Sequence, residues 1–303
     1  MPPYLTETEV AELLTPAEAF AAVESSLARL ARGEVDNPLR LQLPIEDGRF
    51  AVMPCVDRGL GYAGLKTYAW TPVGSTFLVV LLSIEPPEVA AIVEAAHLGE
   101  LRTAAASGVA ARRLARPGSR TLGLIGCGRQ AAAHVEALRQ VLPTLERSIA
   151  YCRNEQSLEA FCAAHRCEPA ASPSDAGACD IVVTATTSAT AVLHGEWLTA
   201  GALVVSVGAN AAAARELDDA VLERAAFVCT DSRPQAMHEA GDVIAGVERG
   251  LFDASALHEL QEVVAGTVTG RKTAGDVVVF KSNGLAAWDL AAAARVVELA
   301  RAR

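Results

Sequence analysis

The sequence is short of positive charge. Lys and Arg number 26 against 36 Asp and Glu, a formal net charge of −10. A surface of that sign repels polyphosphate backbones, which argues against nucleic acid as a partner but leaves local cations free to grip a small anion. No apolar run is long enough to cross a membrane. The longest, Phe77 to Ile84, suits a buried strand. The opening residues Met1-Pro2-Pro3-Tyr4-Leu5-Thr6-Glu7 lack a basic region followed by an apolar one, so they do not read as a secretory signal. The 7 cysteines are odd in number and have no C-x-x-C spacing. That argues against a disulfide framework or a zinc site, and for a reducing cytoplasm. The 6 histidines (His97, His134, His165, His194, His238 and His258) have no metal-ligand spacing and read as core or solvated residues, so no metal is expected. Ser107 and Ser206 carry no sign of a nucleophile elbow.

What is present is a globular composition of 303 residues, 51% hydrophobic and 20% charged. That suffices for two ordinary domains or one large one. Thr6 to Glu9 and Thr15 to Glu18 both have capping-box spacing, the second with Pro16 at the first helical position, and Gly33 stops the second helix. From about Leu39 to Ile84, and again at Val89 to Val93, short β-like runs separated by Pro and Gly predict a mostly antiparallel or mixed sheet. Leu98 to Leu114 is helical and Ala-rich, and Arg116-Pro117-Gly118-Ser119 breaks it. Beyond the break strands and helices alternate. The strands are Thr121 to Ile125, Ser148 to Cys152, Ile181 to Thr184, Leu203 to Val207, Val228 to Thr230 and Val277 to Phe280. Such alternation predicts a parallel sheet covered on both faces, and Leu285 to Ala302 reads as a final helix.

The strand Thr121-Leu122-Gly123-Leu124-Ile125 runs into Gly126-Cys127-Gly128-Arg129-Gln130-Ala131, and a helix follows. In that context G-x-G-x-x-A is a dinucleotide-binding turn. Gly126 allows the tight turn, Gly128 lets the backbone approach a pyrophosphate, and Ala131 permits close helix–strand packing. The diphosphate then meets free N–H groups at the positive helix end, around Arg129 and Gln130. Where NAD enzymes place Asp or Glu at the tip of the second strand, this chain has Tyr151-Cys152-Arg153-Asn154. Arg153 can pair with a 2′-phosphate, which favours NADP(H) over NAD(H); Glu155, close by, leaves NAD(H) open.

Several segments together resemble the ornithine cyclodeaminase/μ-crystallin family. They are Val52-Met53-Pro54, Gly64-Leu65-Lys66, Leu101 to Ala106, the glycine turn, Asp180 to Thr186, Val207-Gly208-Ala209-Asn210, Arg215-Glu216-Leu217-Asp218, Glu239 to Asp242, and Phe280 to Gly284. The resemblance implies a Rossmann doubly wound parallel sheet over 117–280. It also implies a mixed α+β substrate-binding and dimerisation domain from 1–116 and 281–303, in a homodimer. The implied chemistry is NAD(P)-dependent, at a carbon–nitrogen bond of a small imino or amino acid. Arg40, Met53, Lys66 and Arg102 are then the substrate residues, with Lys66 and Asn210 the catalytic candidates. Arg102 and Thr103, Thr186, Val207, Gly208, Lys281 and Ser282 join the glycine turn, Arg153 and Asn154 around the cofactor.

The three cations suit that role. A substrate carboxylate is held well by the planar fork of arginine, and Lys66 stands in the otherwise apolar run Leu65 to Trp70. A departure from the pattern decides the reaction type. Cyclodeaminases of this family carry an aspartate acid/base where this chain has Asn210, and an amide does not exchange a proton at neutral pH. An imine reductase or amino-acid dehydrogenase is therefore expected ahead of a cyclodeaminase, with a non-enzymatic dinucleotide-binding protein as the third reading. A second departure is the short segment Thr71 to Thr76, where the family commonly has a longer loop; it keeps substrate identity open.

Overall fold

The computed structural model describes residues 2–303. It divides into two compact units, one of residues up to Ala106 with Gly284–Arg303, the other Ser107–Asn283. From the sequence the divisions are expected at 116/117 and 280/281. The first instead falls within a helix that runs unbroken from Ala96 to Leu114, so no turn in the chain marks it.

The first unit is built on a mixed sheet. A short strand β1 (Tyr4–Leu5) precedes helices α1 (Glu7–Leu13) and α2 (Pro16–Ala31). Strands β2 (Val35–Asp36), β3 (Leu41–Ile45), β4 (Gly48–Asp57), β5 (Tyr62–Thr71), β6 (Gly74–Ser83) and β7 (Glu88–Glu94) follow, then α3 (Ala96–Leu114). The order is β1-β7-β6-β5-β4-β2, with β3 paired to β4; all pairs are antiparallel except β1 with β7. The expected capping box forms at Thr6 with Glu9. At Thr15 only half of it forms, because the Glu18 carboxylate pairs with Arg295 at 2.6 Å. Alternation along β4 buries Ala51, Met53 and Cys55 and leaves Phe50, Val52 and Pro54 on the other face.

The second unit alternates as expected. It contains β8 (Thr121–Ile125), α4 (Arg129–Val141), β9 (Arg147–Tyr151), α5 (Glu155–His165), β10 (Glu168–Pro169), α6 (Pro173–Gly177), β11 (Ile181–Thr184) and β12 (Leu203–Ser206). Then come α7 (Asp219–Arg224), β13 (Ala225–Thr230), α8 (Arg233–Glu239), α9 (Gly241–Glu248), β14 (Leu257–Glu259), α10 (Leu260–Ala265) and β15 (Val277–Lys281). All 8 strands are parallel, in the order β10-β9-β8-β11-β12-β15-β13-β14. The chain winds outward from β8 through β9 to β10, then returns to lay β11 on the other side of β8. That reversal makes the carboxyl ends of β8 and β11 the switch point where ligands bind in such sheets. Every residue of β11, β12 and β15 is buried, as a sheet covered on both faces requires.

Helix α11 (Ala286–Arg301) closes the chain and belongs to the first unit. Its small residues let it lie close on β4, β5 and β6 and against α2. Among the described residues no helix is long and apolar enough to cross a membrane. No group of His, Cys, Asp and Glu there could hold a metal ion.

Candidate active site

Two constellations emerge, one in each unit. In the first, β5 alternates so that Lys66 and Tyr68 point to the face that α11 covers. The register puts Lys66 between Met53 on β4 and Val79 on β6, both apolar and buried. A charge so placed needs partners. Asp289 of α11 supplies one: its Oδ1 accepts hydrogen bonds from Lys66 Nζ at 2.9 Å and from Arg102 Nε at 2.9 Å. The Phe77 ring lies 5.7 Å from the ammonium, within cation–π range.

Arg40, just ahead of β3, completes the group by donating from Nη2 to the Gly284 carbonyl at 3.1 Å. Gly284 has φ +82, and a Cβ there would stand 2.4 Å from Arg102 Nη1. Only glycine lets the backbone pass that close to the guanidinium. Lys66 and Arg102 thus share the single carboxylate of Asp289, and Arg40 adds a third cation close enough to act on Lys66, an excess of positive charge suited to an anion such as a carboxylate. Burial, and next the neighbouring Arg102, push the Lys66 pKa down to about 8, against the pull of Asp289. The amine is protonated at neutral pH, yet near the range of a proton donor. Thr103 sits one residue on, its hydroxyl bonded to the Gly99 carbonyl at 2.7 Å.

In the second unit Gly126 has φ +113, and a Cβ there would lie 2.4 Å from the Ala185 carbonyl oxygen. The turn therefore has to be glycine. Gly128 is the N-cap of α4, offers no side-chain cap, and a Cβ on it would meet nothing within 4 Å. Ala131 is fully buried where the helix meets the sheet. An exposed, uncapped helix start behind a left-handed glycine is the cradle a diphosphate needs, and these residues fit a dinucleotide. At the tip of β9 Arg153 is exposed and unpaired among the described residues, whereas Asn154 caps α5 by accepting from Ser157 N at 2.8 Å. His134, on α4, is a core residue. Burial pushes its pKa down to about 4, and the neutral ring bridges the Gln130 carbonyl and the Ser107 hydroxyl. All 7 cysteines are free, and burial pushes the Cys55 thiol up to about 12.

The tips of β11 and β12 are braced from beneath. Glu216, fully buried, accepts from Thr184 Oγ1, from Thr186 N and Oγ1, from Ser206 Oγ, and from Gly208 and Ala209 N, at 2.7–3.3 Å. Lys281 is also fully buried, its Nζ donating to the Ala209 carbonyl at 2.6 Å. Ser282 Oγ donates to Asp231 at 2.9 Å. Lys281 and Ser282 therefore hold loops, Lys281 at Ala209, beside the half-exposed Asn210, and Ser282 at Asp231, while Glu216 fixes Thr186 and Gly208. Neither Asp289 nor Glu216 is assigned a role by the sequence. The signal for Asp289 was a lone acid inside the apolar run Ala286 to Ala294.

A parallel sheet with a glycine turn at its switch point, and a mixed-sheet unit that gathers three cations, define a two-unit α/β protein of the Rossmann type. The chain belongs to the ornithine cyclodeaminase/mu-crystallin family, whose model it matches over residues 3–303. It is 34% identical to the alanine dehydrogenase of Archaeoglobus fulgidus over 306 residues, 97% of this chain and 94% of that protein. Among solved structures it resembles an archaeal alanine dehydrogenase dimer with bound NAD, at 33% identity and a TM-score of 0.93, covering 99% of this chain and 96% of that one. It also resembles the Thermococcus litoralis Delta(1)-pyrroline-2-carboxylate reductase in complex with NADH and L-proline, at 28% identity and a TM-score of 0.93, covering 99% and 98%.

Proposed function

We propose that the chain is an NAD(P)H-dependent oxidoreductase that reduces the C=N bond of a small α-imino acid, or runs the reverse oxidation of the amino acid. The observation that carries this is the pair Lys66 and Arg102 on one buried carboxylate with Arg40 acting on Lys66, in a chain that also has a dinucleotide turn. The relatives named for alanine and for pyrroline-2-carboxylate chemistry support the same bond type. A nicotinamide, when bound at the glycine turn, would supply hydride chemistry for the imine carbon. The chain's own residues do the rest. Arg40 and Arg102 fix the substrate carboxylate, and Lys66 delivers a proton to the nitrogen as C=N becomes CH–NH. Asn210 orients the substrate without exchanging a proton. Absorbance at 340 nm tests the reading on a panel of cyclic imino acids, and of α-keto acids with ammonia. Net cofactor consumption supports it; turnover without net consumption indicates the lyase, and no turnover indicates a binding protein.

Arg153 carries the finer proposal that NADP(H) is preferred, although the two solved relatives are described with NAD and NADH. An exposed guanidinium with no partner among the described residues can pair with a 2′-phosphate, which NAD(H) lacks. A charge-assisted contact contributes about 1.5–3 kcal/mol, so Arg153→Ala should weaken NADPH binding roughly 10- to 100-fold and leave NADH unchanged. Isothermal titration with both cofactors checks it, and equal affinities in the parent protein would refute the preference.

The sheet face of the first unit away from α11 supports a homodimer. Leu41, Leu43, Phe50 and Leu82 are exposed there, beside half-buried Val52, Leu65 and Val80. A contiguous apolar face of this kind marks an interface, and the archaeal relative described as a dimer points to a second copy as its occupant. Sedimentation velocity at micromolar concentration should show a dimer and Leu43→Glu a monomer; a monomeric parent protein would remove the proposal. Seven free cysteines suit a reducing cytoplasm.

A further inference from the structure

Asp289 is an unusual buried carboxylate. It is fully buried on α11, and one oxygen, Oδ1, accepts from both Lys66 and Arg102. The other, Oδ2, is buried and accepts no hydrogen bond among the described residues. A buried acid placed for stability usually satisfies both oxygens, because an unmatched lone pair in the interior is costly. Here the carboxylate sits beneath two cations and does little else.

We propose that Asp289 is a positioning residue for the substrate-carboxylate site. It aligns Lys66 and Arg102 on one oxygen and holds the Lys66 ammonium charged so that it can meet an anionic imino acid. This rests on the proposed imine-reductase reading. The physical need is plain in the surroundings of Lys66. The Met53 and Val79 side chains on β4 and β6, and the Phe77 ring, give it a poorly solvating bed. Gly99 of α3 is so close that a Cβ there would lie 3.2 Å from Nζ. The charged groups acting on it are Arg102 from α3, Arg40 ahead of β3 and Asp289 from α11. Two of the three are cations and, with burial, oppose its charge; Asp289 alone favours it. Since burial already leaves Lys66 titrating at about 8, losing the one opposing charge takes it toward or below neutrality. The site would then offer an uncharged amine to the substrate.

The test is Asp289→Asn, which keeps the shape and one acceptor oxygen and removes the charge. The alkaline limb of kcat/KM for cyclic-imine reduction should fall near pH 8 in the parent protein and lie about one pH unit or more lower in the variant. The substrate's own ionisation is common to both enzymes and cancels in the difference. At low pH the variant's activity should recover toward the parent value, and its NADPH affinity by titration should match the parent's. A uniform loss at every pH, with the limb unmoved, would mean a merely structural role and overturn the proposal. A second readout needs no turnover. Lys272 and Lys281 are the only other lysines, so the 13Cε signal of Lys66 can be resolved in lysine-labelled protein and assigned with Lys66→Met. Its titration midpoint should drop in Asp289→Asn; an unchanged midpoint overturns the proposal. Failure of the parent protein to reduce any imine would count against the enzyme reading instead, and leave the lysine titration to decide this one.

Discussion

Lys66→Met should abolish most turnover while leaving the protein folded and able to bind NADPH. On the proposed reading, the lost contact is the charged one through which Lys66 gives its proton to the substrate nitrogen, in a buried site that has no other donor for it among the described residues. That is worth about 3–4 kcal/mol, so kcat/KM for a cyclic imino acid should fall by roughly 10²–10³-fold. Stability should move the other way or hardly at all. Folding lowers the Lys66 pKa from 10.5 to about 8, so burying its charge costs on the order of 3 kcal/mol. The sign follows from proton counts. Below pH 8 the amine is charged in both states and the cost is fully present; between pH 8 and 10.5 the unfolded chain binds more protons, and stability rises with pH. Methionine, apolar and of similar length, removes that cost, and Arg102 stays on Asp289 Oδ1 to compensate the acid. Thermal unfolding at pH 7 should therefore give Lys66→Met a Tm equal to or above the parent's. A variant that turns over within about threefold of the parent protein would remove Lys66 from the mechanism.

The sequence made the cations visible and left their organiser hidden, for a physical reason. Lys66 is legible because a charge in an alternating apolar strand contradicts the pattern, and Arg102 because it stands just ahead of the Ala-rich stretch Ala104 to Ala106 in a helix. Asp289 contradicts its pattern just as plainly, but it lies more than 180 residues from both partners. Nothing local says that α11 returns to pack on β5. Glu216 is hidden the same way, since its ligands come from the tips of two strands and meet only once β11 and β12 are side by side. The parallel sheet itself was legible from short apolar strands alternating with helices. The insertion of β15 between β12 and β13 was not, because strand order follows from long-range pairing and leaves no periodic trace. The unit boundary at 106/107 escaped for the opposite reason. The sequence marks breaks in helices, and α3 has none there.

The second large effect is expected at Gly126→Ala, in the other unit. At φ +113 an alanine is strained whatever the space, and its methyl would lie 2.4 Å from the Ala185 carbonyl oxygen and 2.9 Å from its carbon. The obstacle cannot retreat cheaply. Ala185 N is bonded to the Ile125 carbonyl at 2.9 Å, and the next residue, Thr186, is held twice by Glu216. The turn must distort instead, and with it the aim of the first N–H groups of α4. Strain and misalignment together should cost about 3 kcal/mol, so the NADPH Kd should rise by roughly 100-fold or more and the Tm should drop by several degrees. Gly128→Ala separates the two causes. Its Cβ meets nothing within 4 Å and its φ of −94 is open to any residue, so stability should hold. Cofactor binding alone should weaken, because the methyl stands where a pyrophosphate must approach. Calorimetric titration of both variants beside Lys66→Met sorts the machinery. Gly126→Ala and Gly128→Ala should lose NADPH, and Lys66→Met should keep it while losing turnover. NADPH bound by Gly126→Ala within about threefold of the parent affinity would mean that the turn does not carry the diphosphate at all.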